Sequence, residues 1–531
     1  MDRGSELSRE VVSAMLEPGF YPHCPERVEL RETHTSWVFL AGDLAYKVKK
    51  PVLFPFLDYG TVERRRDMCR EEVRLNQRLA PSYYLGVDSI VSRRDGFRLA
   101  GDDPGAVEYT VRMHRVPEER TLDSLATRGA LSEAEVDSVA TRIAGFHLAA
   151  EQAPCQAREL ARLLEPFEEN LETLREVGLP ALGRDRLLAA ERFSAAFLAA
   201  RREQIAGRVN AGLVRDCHGD LRAEHVIVDG AVEVYDCIEF NPSLRLIDVG
   251  ADLAFLVMDL ARLGQEALAS RLVSSYREAG GDPGDDSLLY FYAAYRAWVR
   301  TKVACLRAGE LPEGGPGRDH ERDEARAMMA LGHRLAWRAR LPLVIVVCGV
   351  AASGKTVLAS RLADVSGLPH LSSDVTRKRL AGLAPMQRAA PEHYTEEFTL
   401  RTYEELGRLA AEEIDRRGGA IVDATFHRAE PRRAFAAGLG PSRTVLFAKC
   451  HAPTRMLLQR GRTRAASGES VSDADSGIAE RQLREFEPLD EVAAESRTTI
   501  STDRSIEEEV VEVEELANRR LARATHAVSS A

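Results

Sequence analysis

One octapeptide constrains this chain more than any other feature. Gly349-Val-Ala-Ala-Ser-Gly354-Lys355-Thr356 fits G-x-x-x-x-G-K-[ST] at every fixed position and joins a continuous apolar run, residues 343–348, to a helical stretch. A strand that is apolar at every position is buried on both faces, as in a parallel sheet covered by helices. The glycines free backbone N–H groups to turn onto phosphate, Lys355 reaches the β- and γ-phosphate oxygens, and Thr356 offers a hydroxyl to Mg²⁺. Gly349, Ser353, Gly354, Lys355 and Thr356 are therefore expected to bind ATP, with Thr356 also a metal ligand. Short strands at 370–373, 420–423, 444–450 and 498–501 alternate with helical stretches. That pattern predicts a doubly wound α/β sheet over 341–520 and a frayed tail over 521–531.

Composition narrows the rest. With 531 residues, 44% apolar and 29% charged, the chain has the means for about three to four packed units. Residues 1–340 carry a formal charge of −9 and residues 341–531 one of −2, within the total of −11. Without a basic patch, sequence-independent binding to nucleic acid is not expected, since that requires clustered Lys and Arg. The first residues, MDRGSELSRE, lack an apolar core, and no apolar run is long enough to span a bilayer, so the expectation is a cytoplasmic protein without a membrane partner. Eight cysteines are scattered with no C-x-x-C pair, which argues for buried free thiols over a disulfide framework or a zinc ribbon.

Residues 1–340 have a different texture. Alternation at 37–41 and 44–49 around Gly42-Asp43 predicts a β-hairpin, and residues 62–80 have helical period with Cys69, Glu72, Val73, Asn76 and Leu79 on one face. Residues 106–116 read as a strand ending at Pro117. Long helical stretches follow at 132–150, 157–176 and 186–205, and helices return over 250–308. A second hairpin, 226–235, has Asp229-Gly230 at a tight I′ turn. Residues 309–323 read as a polar Pro/Gly-rich loop and 324–338 as a helix.

Motifs in both halves resemble known families. The segment after the octapeptide resembles small P-loop kinases such as gluconate and shikimate kinases, zeta toxins, chloramphenicol phosphotransferase and the P-loop part of polynucleotide kinases. In such enzymes the second strand ends in an Asp that orients or deprotonates the acceptor hydroxyl. The resemblance makes Asp374, in Ser372-Ser-Asp374-Val-Thr-Arg377, the catalytic base and Arg377 a clamp on a substrate anion. Capping of the next helix is the other role open to Asp374. Asp423, ending an apolar strand, corresponds to a carboxylate facing the Mg²⁺ shell, and Arg460 and Arg464, ahead of a Gly/Ser/Asp-rich segment at 465–476, to lid arginines over the transferred phosphate.

The first half resembles aminoglycoside phosphotransferase-like and choline-kinase-like enzymes. His218-Gly219-Asp220 followed by a hairpin and by Asp236 has the order of a catalytic loop and a metal-binding Asp, which implies that Asp220 receives the acceptor hydroxyl's proton and Asp236 holds Mg²⁺. Leu44-Ala-Tyr-Lys47 resembles the V-A-I-K strand, with Glu72 placed to pair with Lys47 at ATP; Lys49, on the same strand face, and Glu71 remain alternatives. Arg245, Asp248 and Asp252 correspond to a buried brace. Two departures stand out: His225 occupies the place of an Asn that binds a second Mg²⁺, with Glu239 a candidate replacement, and no G-x-G-x-x-G precedes the hairpin.

Taken together, the chain resembles bacterial bifunctional aminoglycoside phosphotransferase/ATP-binding proteins. The resemblance implies a protein-kinase-like bilobal domain over 1–340 (N-lobe about 1–116, C-lobe about 117–340) and a P-loop kinase domain over 341–520. The expected activity is a two-site phosphotransferase using ATP and Mg²⁺ on hydroxyl groups of small molecules. Two alternatives stay open: a polynucleotide or nucleotide-sugar kinase in the C-terminal half, and a nucleotide-sensing pseudokinase in the N-terminal half that regulates the P-loop half. Oligomeric state is not set by these motifs.

Overall fold

The computed structural model describes residues 3–54, 57–94, 96–154, 160–384, 387–467 and 476–528, with the side chains of 3–8, 54, 464–467, 476–479 and 522–528 outside the described set. Contacts gather the chain into two compact units: Met1–Leu163 with Ala206–Gly284, and Leu164–Ile205 with Asp285–Ala531. This grouping differs from the expected division at 340. Residue 341 does mark a change of texture, because a parallel strand begins at Leu343, but Trp337 on the preceding helix Pro316–Arg338 is fully buried in the same core as Leu343, Ile345 and Val347.

The first unit holds a six-stranded antiparallel sheet in the order Val28–Glu32, Ser36–Ala41, Leu44–Lys49, Ala106–His114, Tyr84–Arg93, Gly96–Ala100. The first expected hairpin is present, with Ala41 opposite Leu44 and Gly42 at φ 63°. Helix Val62–Asn76 starts at Thr61, whose hydroxyl accepts from the Arg64 amide at 3.3 Å, and buries Cys69, Glu72, Leu75 and Asn76. Cys69 joins Leu40, Ala45 and Val111 of the sheet in one apolar cluster. A helical part follows, in which Val249–Arg262 is almost wholly buried and packs with Glu266–Glu278. The hairpin Val226–Asp229/Ala231–Val234 packs against helices Leu122–Thr127 and Glu133–Ala149. Its turn is not the expected I′ form, which needs positive φ at both central residues: Gly230 has φ 69° and Asp229 is not in that region.

The second unit carries a five-stranded parallel sheet in the order His370–Ser372, Gly419–Ala424, Leu343–Cys348, Val445–His451, Arg497–Ser501. The central strand feeds both faces. Leu343, Ile345 and Val347 pack with Leu358 and Leu362 of helix Lys355–Ser366 and with Val513 and Leu516 of helix Ile506–Val528. Val344, Val346 and Cys348 pack with Tyr403 and Leu406 of helix Glu396–Arg417 and Phe435 of helix Ala429–Leu439. Both layers of a doubly wound sheet are thus present.

Two element boundaries correct the expectations. The loop expected over 309–323 is shorter, because helix Asp286–Glu310 runs on and the next helix starts at Pro316, a position where the missing N–H of proline costs no helical bond. The tail expected to fray from 521 continues helix Ile506–Val528, with Leu521 buried; residues 529–531 lie outside the described set. Among the described residues no helix is long and apolar enough to cross a membrane.

Candidate functional site

In the parallel sheet the chain leaves strand Leu343–Cys348 toward one edge and later returns to build the other, so the crevice at the strands' carboxyl ends opens beside this strand. Residues 349–354 occupy that end. Gly349, Ala352 and Gly354 have φ of 147°, 63° and 91°. A Cβ on Gly349 would stand 2.7 Å from both the Cys450 carbonyl and Ser353 Oγ, so only glycine fits. Ser353 is fully buried and its Oγ has no hydrogen-bond partner. Lys355 and Thr356 open the helix, Thr356 exposed, with their amides at its positive end.

Asp423 lies in register with Val347 on one side and Ser372 on the other. It is 3% exposed, its Oδ2 stands 3.7 Å from His370 Nε2, and its Oδ1 has no hydrogen-bond partner. Burial pushes this carboxyl up, but His370, Lys355 and Thr356 outweigh it and hold it below its ordinary range. A buried ionised carboxylate with an unshared oxygen, beside an exposed threonine hydroxyl, is the hard oxygen donor set that Mg²⁺ takes. The residues fit the metal.

The remaining expected residues fall at different distances from this loop's chemistry. Arg460 donates to Thr502 Oγ1 at 3.0 Å and to the Thr502 carbonyl at 2.6 Å, and Thr502 Oγ1 donates to the Ser353 carbonyl at 2.8 Å. It therefore braces the loop through Thr502. Arg464 is on helix Thr454–Ser467 with its side chain outside the described residues, as is most of the segment 465–476. Asp374 sits in the first turn of helix Ser373–Leu380, where Ser372 at the N-cap position makes no side-chain capping bond. Arg377 is 6% exposed, donates to the His393 carbonyl at 2.7 Å and Thr399 Oγ1 at 3.3 Å, and lies over the Tyr394 ring. Thr502 and Gln482, whose Oε1 accepts from the Ala351 amide at 2.8 Å, have no motif that would reveal them.

The first unit assembles its own cluster. Lys47 Nζ lies 2.9 Å from Glu72 Oε1 and 2.6 Å from Asp236 Oδ1. Lys49 Nζ lies 2.6 Å from Glu72 Oε2 and also pairs with Glu239 Oε1, which accepts from Tyr59 OH at 2.5 Å. Glu71 faces away, paired with Arg74 at 2.7 Å and Arg245 at 3.4 Å. Burial opposes both ammonium charges, yet Asp236 and Glu72 around Lys47, and Glu239 and Glu72 around Lys49, hold both well above the ordinary lysine range. Glu239 is thus committed to a lysine, in a place where it was a candidate for metal.

Two loops carry the acids. His225 Nδ1 contacts the Asp220 carbonyl at 2.9 Å, and His225 Nε2 stands 3.7 Å from Asp236 Oδ2, so this histidine ties the two loops together. Asp252 accepts from the His218 and Gly219 amides, both at 2.9 Å, and contacts His147 Nε2 at 3.1 Å; Arg245 holds Asp216 at 2.7 Å and Asp248 holds Arg208 at 2.6 Å. The brace is present. From helix Val62–Asn76, Asn76 Oδ1 accepts from the Cys237 amide at 2.9 Å, and beyond that helix Arg78 donates to the Asp216 and Cys217 carbonyls at 2.9 and 3.1 Å. The Asp236 side chain is 41% exposed, with Lys47 and next His225 keeping it ionised against desolvation, so it too offers oxygen to a cation.

The AAA domain family model matches residues 344–489. Among solved structures, a gluconokinase from Sinorhizobium meliloti 1021 is 22% identical, covering 36% of this chain and 97% of its own, with a TM-score of 0.26. A choline/ethanolamine kinase family protein from Mesorhizobium loti is 14% identical, covering 60% of this chain and 95% of its own, with a TM-score of 0.36. Uncharacterized protein Rv2004c of Mycobacterium tuberculosis H37Rv is 36% identical over 357 residues, 66% of this chain and 68% of that protein. The chain belongs to the family of that mycobacterial protein.

Proposed function

We propose that the chain is an ATP-dependent phosphotransferase with two nucleotide sites, each passing the γ-phosphoryl group to a hydroxyl of a small molecule. The observation that carries this reading is the loop 349–356 with the unshared Asp423 Oδ1 beside it. In that site the loop amides and Lys355 hold the phosphates, Thr356 and Asp423 hold Mg²⁺, and Asp374 takes the acceptor proton as the oxygen attacks in line. Arg460 keeps the loop in shape through Thr502, and Arg377 orders residues 393–399 on the acceptor side. In the first unit Lys47, oriented by Glu72, holds phosphate, Asp236 holds Mg²⁺ and Asp220 takes the acceptor proton. Held by these residues, Mg²⁺ would supply positive charge against the charge that develops on the phosphoryl group during transfer.

ADP release from Mg·ATP across sugars, amino sugars, nucleosides and a 5′-hydroxyl oligonucleotide tests the reading, using wild type, Lys355→Ala and Asp220→Ala. Stimulation by a small hydroxyl compound that one substitution abolishes assigns both site and substrate class; stimulation by the oligonucleotide moves the C-terminal half to polynucleotide chemistry. No stimulation by any acceptor sinks the proposal. A second reading, that the first unit senses nucleotide without turnover, is favoured by His225 in a metal-ligand position and by the direct Lys47–Asp236 pair. It predicts that Asp220→Ala changes no rate while ATP still binds that unit.

A further inference from the structure

We infer that Lys49 is a positioning residue for the nucleotide site of the first unit: its ion pair with Glu239 fixes the loop that carries Asp236 against the strand that carries Lys47. This rests on the reading of that unit as a nucleotide site.

Three observations lead there. First, the pair is sealed: Lys49 and Glu72 are 0% exposed and Glu239 7%, so neither charge has water to fall back on if its partner leaves. Second, the pair joins what the reaction needs joined. Lys49 is two residues from Lys47 on strand Leu44–Lys49, and Glu239 is three residues beyond Asp236, whose backbone sits at φ 64°. Asp236 is also tethered by its amide to Tyr84 OH at 3.3 Å and by the Cys237–Asn76 bond, so the N-terminal side of the loop is held from one direction and Glu239 holds the other. Third, Glu72 is divided, one oxygen to each lysine at 2.9 and 2.6 Å. Without Lys49 the second oxygen is free to draw Lys47 away from Asp236, and the 2.6 Å Lys47–Asp236 distance loses its fixed reference. The chain has no glycine-rich loop to clasp phosphates here, so nucleotide geometry depends on how these side chains are set.

The test uses the full chain carrying Lys355→Ala, which silences the P-loop, with titration of a fluorescent ATP analogue at fixed and varied Mg²⁺. Variants are Lys49→Met, Glu239→Gln and the double Lys49→Met/Glu239→Leu, which removes one buried charge of each sign, leaves Glu72 paired with Lys47, and is expected to recover fold stability. The expected result is at least a tenfold loss of analogue affinity and a rise in the Mg²⁺ midpoint in both single variants, with the double variant recovering the parent's melting temperature while its affinity stays low. If the double variant melts and binds like the parent, Lys49 serves the fold alone and the inference is overturned. If Lys49→Met melts like the parent and binds with unchanged affinity and Mg²⁺ midpoint, it is overturned equally. If the Lys355→Ala parent itself binds no analogue, the nucleotide-site reading fails first and takes this inference with it.

Discussion

Lys47 and Lys49 show what a pattern of alternating residues can and cannot say. Period two places both on one face, and only the V-A-I-K resemblance favours Lys47; the physical separation comes from partners 189 and 190 residues away, Asp236 for one and Glu239 for the other. Glu72 over Glu71 is likewise decided by which face of helix Val62–Asn76 meets the sheet. His218 carries a consequence for stability. Burial brings its imidazole from 6.5 down to about 4, and its Nε2 contacts the Tyr235 carbonyl at 3.0 Å. Between those values the unfolded chain binds a proton that the folded chain refuses, so stability contributed by the neutral ring is present above about 6.5 and falls as pH drops toward 4. The full loss amounts to roughly 3 kcal/mol at about 1.4 kcal/mol per pH unit. Urea unfolding at pH 7.0, 5.5 and 4.5 should show His218→Gln losing this part of the pH slope. An identical slope in wild type and variant would count against the assignment.

At the scale of elements, the phosphate loop was legible because each of its demands is local. The turn needs glycine where a Cβ would strike the Cys450 carbonyl and Ser353, and the helix must begin where Lys355 and Thr356 stand. Gly349→Ala should therefore cost at least about tenfold in ATP affinity, or about 1.4 kcal/mol. Isothermal titration in a Lys47→Met background, which removes the residue proposed to hold phosphate in the first unit, would measure it, and undiminished affinity would mean that the loop is not the phosphate cradle. Thr502, by contrast, is 149 residues from Ser353 and no motif announces it. Its hydroxyl links the Ser353 carbonyl to Arg460, so Thr502→Val removes both contacts while keeping the side-chain volume. The expected effect is a smaller loss of about three- to tenfold, near 1 kcal/mol for a buried hydrogen bond. Arg460→Lys should reproduce part of it, because one ammonium cannot serve hydroxyl and carbonyl in the guanidinium's fork geometry. If either substitution abolishes turnover with affinity intact, Arg460 meets the transferred phosphate directly and the brace is secondary.

At the scale of the whole molecule, local pattern found where the parallel sheet begins but not which helices close it. Strand Leu343–Cys348 announces itself by six consecutive buried apolar residues, whereas helix Pro316–Arg338 carries charges along much of its length and, ending before residue 341, falls to the first half in the sequence reading. Trp337 decides its allegiance: it is fully buried with Ile345, Leu358 and Leu362, and Arg340 stacks over its ring at 4.7 Å. A large aromatic of this kind contributes about 3–5 kcal/mol to the core it fills. Trp337→Ala should accordingly lower amide protection along Leu343–Cys348 and in helix Lys355–Ser366, and with the latter weaken ATP binding at Lys355. Protection in the antiparallel strands Leu44–Lys49 and Ala106–His114 should stay at the wild-type level, because they belong to the other compact unit. Native-state hydrogen exchange read by mass spectrometry reports all four segments at once. Loss of protection in Leu44–Lys49 and Ala106–His114 with Leu343–Cys348 unchanged would restore the division at 340 as the energetic one, and would place helix Pro316–Arg338 with the first unit despite its tryptophan.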